Sequence, residues 1–74
     1  MSDNFKYFKH IENNSLSTQS VLNEFLNNIL KDGVQVFELQ IEIGGVMQSK
    51  ITKDNPNNWS EITKDEFNNL IIKQ

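Results

Sequence analysis

The chain has 74 residues, a formal net charge of −3 at pH 7 and a hydrophobic fraction of 36%. A chain of this length forms a single domain, residues 1–74, because it is too short to build two hydrophobic cores. The chain contains no cysteine and one histidine. This composition excludes a disulfide framework, a thiolate metal site and a two-histidine metal site within one chain.

The amino-acid usage is typical of an AT-rich genome. The chain contains eleven asparagines, eight isoleucines and seven lysines but neither alanine nor arginine. Without guanidinium groups, recognition of phosphate or carboxylate must rely on lysine as a point charge. The start, Met-Ser-Asp-Asn, lacks the basic and apolar regions of a signal peptide. The longest apolar run covers only residues 70–72, so we expect a cytoplasmic protein without a membrane span.

The first segment, residues 4–12, is compatible with a strand or a helix. In a helix Phe5, Phe8 and Ile11 would share a face, whereas in a strand Phe5 and Tyr7 would lie on one face and Phe8 on the other. A two-stranded sheet alone is marginal in water, and aromatic residues favour strands. We therefore favour a strand, which would supply a third member of the sheet.

An amphipathic pattern predicts a helix over residues 17–31. Ser17 is a suitable N-cap, and Gly33 can adopt the left-handed conformation that follows many helices. Apolar residues recur at three- and four-residue spacing, which predicts one buried stripe: Val21, Leu22, Phe25, Leu26, Ile29 and Leu30.

Residues 34–43 change to the two-residue period of a strand with one polar face. Gly44 and Gly45 follow, and this pair predicts a hairpin turn. The second strand of the hairpin then runs back from Val46.

Two loop lengths are possible in this hairpin. A two-residue loop would place Glu38 opposite Ile51, which mixes polar and apolar side chains on one face. A three-residue loop starting at Ile43 would place Phe37 opposite Ile51 and Glu38 opposite Lys50. Because the longer loop pairs apolar with apolar residues and opposite charges with each other, it is the register we predict.

The last third of the chain predicts a turn and then a helix. Residues 54–58 contain the single proline but lack the spacing of a calcium-binding loop. Thr63 and Glu66 match a capping box, and Phe67 begins an apolar stripe that continues to about Lys73. The predicted fold is therefore α+β, in βαββα order, with two helices packed on one face of a small antiparallel or mixed sheet.

The acidic excess lies in residues 13–44, which carry one lysine and four acids. Acidic surfaces steer association with basic partners, and tryptophan is enriched at binding hot spots. An ordinary solvated surface is the alternative interpretation. We predict that a larger protein binds the polar face of the hairpin and the lone tryptophan, at Glu38, Gln40, Glu42, Lys50 and Trp59.

The N-terminal segment interleaves aromatic and cationic residues, as single-stranded nucleic-acid platforms do. The residues concerned are Phe5, Lys6, Tyr7, Phe8 and Lys9. The acidic net charge and the absence of arginine count against nucleic acid as the partner. The same pattern also suits an edge strand whose lysines discourage aggregation.

No catalytic, cofactor or metal site is predicted. His10 has an acid and serines nearby, but the chain contains no nucleophile elbow and no phosphate-binding glycine loop. We therefore predict a small non-enzymatic module that binds a larger protein as an inhibitor or adaptor. Its size and composition fit a phage or mobile-element accessory protein that blocks a host enzyme or defence complex. The alternatives are a nucleic-acid-binding module and a homo-oligomer, such as a homodimer joined across a two-fold axis.

Overall fold

The computed structural model describes residues 4–21 and 33–73. These residues form an antiparallel sheet with strand order β4-β3-β2-β1-β5, a short 3₁₀-helix and an α-helix. The strands are β1 (Phe5–His10), β2 (Leu16–Ser20), β3 (Gln35–Ile43), β4 (Val46–Asp54) and β5 (Trp59–Ile62), with the 3₁₀-helix at Pro56–Asn58 and α1 at Lys64–Lys73.

The predicted βαββα order is wrong. Leu16–Ser20, which includes the expected first turn of a helix, is instead the central strand β2, hydrogen-bonded to β1 on one side and β3 on the other. Serine and threonine are weak helix formers, and two flanking strands satisfy every backbone group of such a segment. Residues 22–31 of the expected helix lie outside the described part of the chain. Within that part, one short α-helix accompanies five strands.

Two sequence predictions are confirmed at the ends of the chain. Phe5–His10 is a strand. The final helix begins next to Thr63, whose side-chain oxygen accepts a hydrogen bond from the Glu66 amide at 3.1 Å. The Phe67 ring, one turn into α1, is buried and lies 4.8 Å from the ring of Tyr7 on β1. The helix is therefore capped and packed as its local sequence indicates.

The register predicted for the hairpin is wrong. The loop has two residues, Gly44 and Gly45, with φ angles of 59° and 81°. Positive φ at both positions gives a turn whose twist matches that of paired strands, and glycine adopts it without strain. Glu38 consequently lies opposite Ile51. Turn geometry, rather than the matching of side chains across the strands, sets the register.

This register divides the sheet into two faces. The helix face, against which α1 packs, carries polar, aromatic and aliphatic side chains: Phe5, Tyr7, Leu16, Thr18, Glu38, Gln40, Glu42, Met47, Ser49 and Ile51. The tryptophan face carries the alternate residues, among them Phe8, His10, Ser17, Phe37, Leu39, Lys50 and Trp59.

The sheet is strongly curled around its tryptophan face. Phe37 on β3 and Trp59 on β5 are separated by two strands, which in a flat sheet would place them about 14 Å apart. Their ring centroids are instead 5.0 Å apart and nearly parallel, at 22°. Phe8 packs edge-on against Phe37 at 5.4 Å. The curl therefore buries an aromatic core inside a single sheet.

Candidate functional site

A network of hydrogen bonds converges on Asp54 at the end of β4; we call it the Asp54 cluster. Its Oδ2 accepts from the Trp59 indole N–H at 2.9 Å and lies 3.6 Å from His10 Nε2. Its Oδ1 accepts from the Asn55 amide at 2.8 Å and from the Asn58 side chain at 3.0 Å. The carboxylate therefore links β1, the 3₁₀-helix and β5.

The ionised form of Asp54 is favoured by these contacts. Partial burial acts to raise the pKa of this carboxyl. Hydrogen bonds from Asn58, the Asn55 amide and Trp59, together with the charge of His10, outweigh that effect and lower the pKa below its ordinary value. Hydrogen bonds to the charged form of a carboxyl lower its pKa because they stabilise the anion.

Both ring nitrogens of His10 are engaged. Nδ1 faces the amides of Glu12 at 3.1 Å and Asn13 at 3.4 Å, while Nε2 faces Asp54. Nδ1 therefore faces backbone amides and Nε2 faces the Asp54 carboxylate, so among the described residues neither nitrogen faces a nucleophile. The Asp54 cluster therefore joins the turn after β1 to the connection before β5, and its geometry indicates a structural role.

Trp59 belongs to the Asp54 cluster. It is 9% exposed, with its indole N–H donated to Asp54 and its ring packed on Phe37. A side chain buried in this way stabilises the fold and has little surface left for a partner.

The aromatic and cationic residues of the N-terminal segment are divided between the two faces. Phe5, Tyr7 and Lys9 lie on the helix face, and Lys6 and Phe8 lie on the tryptophan face. Phe8 and Tyr7 pack against Phe37 and Phe67. Phe5 remains 43% exposed. The segment thus offers a single exposed aromatic ring in place of a row of stacking platforms.

The hairpin residues predicted to bind a partner are also divided. Glu38, Gln40 and Glu42 lie together on the helix face of β3, whereas the register places Lys50 on the tryptophan face. Lys53 is the lysine that β4 contributes to the helix face. Neither Glu38 nor Glu42 has a lysine directly opposite it on β4, whereas the predicted register would have placed Lys50 opposite Glu38.

The helix face contains a groove of about 250 Å³, which we call the aromatic–acidic groove. One wall is aromatic and the other is polar with one carboxylate. The lining residues are Phe5, Tyr7, Thr18, Glu38, Gln40, Ser49 and Phe67.

A row of hydrogen bonds across three strands, the polar ladder of Thr18, Gln40 and Ser49, organises the polar wall. The Ser49 hydroxyl donates to Gln40 Oε1 at 3.1 Å, and Gln40 Nε2 donates to Thr18 Oγ1 at 3.2 Å. The Thr18 hydroxyl lies 3.5 Å from Glu38 Oε2. Among the described side chains, no cation lies within ion-pair distance of Glu38. The ladder therefore ends beside a carboxylate for which the described residues supply no ion-pair partner.

Local sequence patterns could not reveal this groove. The sequence marked Phe67 as a core residue and Thr18 as a helix residue, and it gave no signal for Ser49. Strand pairing brings Thr18 and Ser49 beside Glu38 and Gln40, and the packing of α1 brings Phe67 to the groove. The alternation of Phe5 and Tyr7 was visible in the sequence, but their neighbours were not.

Comparison of the chain with protein-family models, with curated proteins and with solved structures finds no match. In residues 4–21 and 33–73, no helix has the length and apolarity needed to cross a bilayer. The same residues contain no group of three or more histidine or acidic side chains placed to hold a metal ion. Function must therefore be argued from the geometry of the helix face.

Proposed function

We propose that this protein is a small, non-enzymatic binding module that engages a basic segment of a larger protein as an inhibitor or adaptor in the cytoplasm. The observation that carries the proposal is the pairing of the exposed Phe5 ring with the Glu38 carboxylate in one groove. The absence of cysteine suits a reducing compartment.

The two walls of the groove suit the two parts of a lysine or arginine side chain. Such a side chain lays its methylene stem along apolar surface and directs its charged end toward an acceptor. Phe5 and Tyr7 offer the apolar surface, and their ring faces attract a cation. Glu38 offers the counter-charge, reinforced by Glu42 on the same face. The expected ligand is an extended segment with a basic residue flanked by apolar ones.

Two further features support binding rather than catalysis. The nitrogens of His10 are held by backbone amides and by Asp54, so a general base is not offered to a substrate. The small size and AT-rich composition suit an accessory protein of a phage or mobile element, for which blocking a host enzyme or defence complex is a suitable role.

A random decapeptide display library, selected on the immobilised full chain, tests the proposal. Enrichment of lysine or arginine next to apolar residues is expected. The best peptide should bind Glu38→Gln about tenfold more weakly than wild type, equivalent to about 1.4 kcal/mol. Glu61→Gln, which removes an exposed carboxylate outside the groove, is the matched control and should bind like wild type.

The same peptide probes the aromatic wall. Phe5→Ala should weaken binding several-fold, whereas Ile11→Ala, which truncates an exposed apolar residue outside the groove, should not. Failure to enrich basic peptides, or equal effects of the groove and control variants, contradicts the proposal. If wild type instead binds a fluorescent oligo-dT at physiological salt and Lys6→Glu with Lys9→Glu abolishes that binding, nucleic acid replaces protein as the partner.

A further inference from the structure

Within residues 4–21 and 33–73, the outer edge of β4 is an open strand edge. β4 has nine residues and forms one border of the sheet, and residues 46–51 are all exposed. In the part of the chain that the structure describes, no strand pairs with that edge. Natural edges are commonly blunted by charged side chains, especially lysine, by proline or by bulges. The stretch from Met47 to Ile51 has no proline and no bulge, and Lys50 is its one protective charge.

The two-residue turn determines which backbone groups face outward. Ile43 and Val46 flank the turn and form a hydrogen-bonded pair, and such pairs alternate along an antiparallel ladder. Even-numbered residues of β4 therefore direct their N–H and C=O groups toward β3. Met47, Ser49 and Ile51 direct theirs outward, while their side chains share the helix face.

We propose that two copies of this protein join through these edges, with the β4 strands antiparallel about a two-fold axis at Ser49. Such a contact is self-complementary, as a two-fold interface requires. Met47 of each copy would lie opposite the partner's Ile51, and Gln48 opposite the partner's Lys50. Two apolar pairs form, and no like charges oppose each other.

Neighbouring registers are less favourable. Moving the axis to Lys50 sets two ammonium groups directly opposite each other and pairs Met47 with the partner's Lys53. Moving it to Gln48 sets Val46 against the partner's Lys50. Like charges directly opposite are destabilising, and each shift removes both apolar pairs.

The helix face also becomes continuous in this arrangement. Ser49, whose hydroxyl donates to Gln40, would lie beside the partner's Ser49, so the polar ladders of the two copies would meet where the two described five-stranded sheets join. Apolar pairs would flank this central row on both sides. The dimer does not depend on the aromatic–acidic groove being a peptide site.

Sedimentation equilibrium of the full chain from about 5 µM to 1 mM tests the dimer. Wild type should show a monomer–dimer equilibrium. Met47→Glu with Ile51→Glu should weaken it at least tenfold, because four carboxylates would meet at the edge. Met47→Glu with Ile51→Lys should restore association, because each glutamate then faces the partner's lysine.

Ile43→Glu is the control, since Ile43 is exposed at the hairpin tip but lies away from the β4 edge; it should leave the equilibrium unchanged. A wild type that stays monomeric to 1 mM overturns the proposal. A double-glutamate variant that still dimerises, or a charge-swapped variant that does not, also overturns it.

Disulfide trapping tests the register, and the absence of native cysteine makes it unambiguous. The two Ser49 Cα atoms would be about 5.5 Å apart, within disulfide range. Mild oxidation of Ser49→Cys should therefore give a covalent dimer. Gln48→Cys should not, because its two copies would be offset by two residues along neighbouring strands, which places their Cα atoms about 8 Å apart and beyond disulfide range. Faster trapping of Gln48→Cys, or no trapping of Ser49→Cys, contradicts the register.

Discussion

Phe37 and Ile43 occupy the same strand and the same face of the sheet, yet Phe37 is 1% exposed and Ile43 is 55% exposed. At the Phe37 end, β5 curls over so that Trp59 covers the ring. At the Ile43 end, the hairpin extends beyond any such cover among the described residues. Alternation along a strand therefore indicates which residues share a face, but the curl of the sheet decides which of them are buried.

The two ends of the sheet have different roles. The packed end, with Phe37, Trp59 and the Asp54 cluster, should supply most of the stability of the described sheet. The hairpin end presents the backbone edge of β4, with the exposed Met47 and Ile51 side chains, for association. Substitutions at the two ends should accordingly affect different measurements.

The largest effect is expected from Phe37→Ala. Removing a fully buried aromatic ring should lower the free energy of unfolding by about 4 kcal/mol, measured by urea denaturation. Ile43→Ala should lower it by less than about 1 kcal/mol, because Ile43 is largely solvated. If Phe37→Ala leaves too little folded protein to measure, Phe37→Leu should still cost more than Ile43→Ala. Equal costs would contradict the separation of the two ends.

Asp54→Asn tests the cluster that connects the packed end. It replaces a carboxylate that accepts several hydrogen bonds with a group that has one acceptor atom, and should cost about 2 kcal/mol at pH 7. Glu61→Gln, at an exposed carboxylate, should change stability little. Unfolding midpoints that are equal for the two variants would show that the cluster stabilises nothing.

The pH dependence of this effect has a definite sign. The pKa of Asp54 is lower in the folded protein than in the unfolded chain. Its contribution is therefore fully present above the ordinary aspartate pKa and is lost as pH falls through the folded-state pKa. The stability difference between wild type and Asp54→Asn should shrink over that acidic range. A difference that grows as pH falls would contradict this assignment.

A smaller effect is expected from the helix cap. Thr63→Ala removes the hydroxyl that accepts from the Glu66 amide and should cost about 1 kcal/mol. Thr63→Ser keeps the hydroxyl and should retain most of that stability in thermal unfolding. Equal losses in both variants would mean that the methyl group, rather than the hydrogen bond, matters.

The smallest change in the free energy of unfolding is expected from Ser17→Ala, and this substitution is expected not to lower stability. Ser17 is fully buried between β1 and β3, and its hydroxyl has no hydrogen-bond partner among the residues that the structure describes. Because a buried hydroxyl without a partner is destabilising, Ser17→Ala should leave stability unchanged or raise it by up to about 1 kcal/mol. A loss of more than about 1 kcal/mol would reveal a role for this hydroxyl.

Local signals in the sequence were sufficient where the structure depends on a few neighbouring residues. The glycine pair predicted the turn, and Thr63 with Glu66 predicted the start of α1. They failed for Ser17, where a helix-cap residue belongs to a central strand whose partners are distant in the chain. The register failed for a related reason, because the φ angles of the two glycines overrode the matching of side chains.

The candidate site was partly predictable. Glu38, Gln40 and Glu42 were expected on one polar face, and they share the helix face. Lys50 and Trp59 were grouped with them, but one lies on the opposite face and the other is buried. The aromatic wall beside Glu38 arises from strand order and from α1, and a single strand's pattern contains neither.

Amide hydrogen exchange along β4, followed by NMR at about 20 µM and 1 mM, tests most directly the claim that the hairpin end is an association edge. The amides of Met47, Ser49 and Ile51 should exchange rapidly in dilute protein and become protected at the high concentration. The amides of Gln48 and Lys50, bonded to β3, should be protected at both concentrations. Rapid exchange of Met47, Ser49 and Ile51 at both concentrations would contradict the claim.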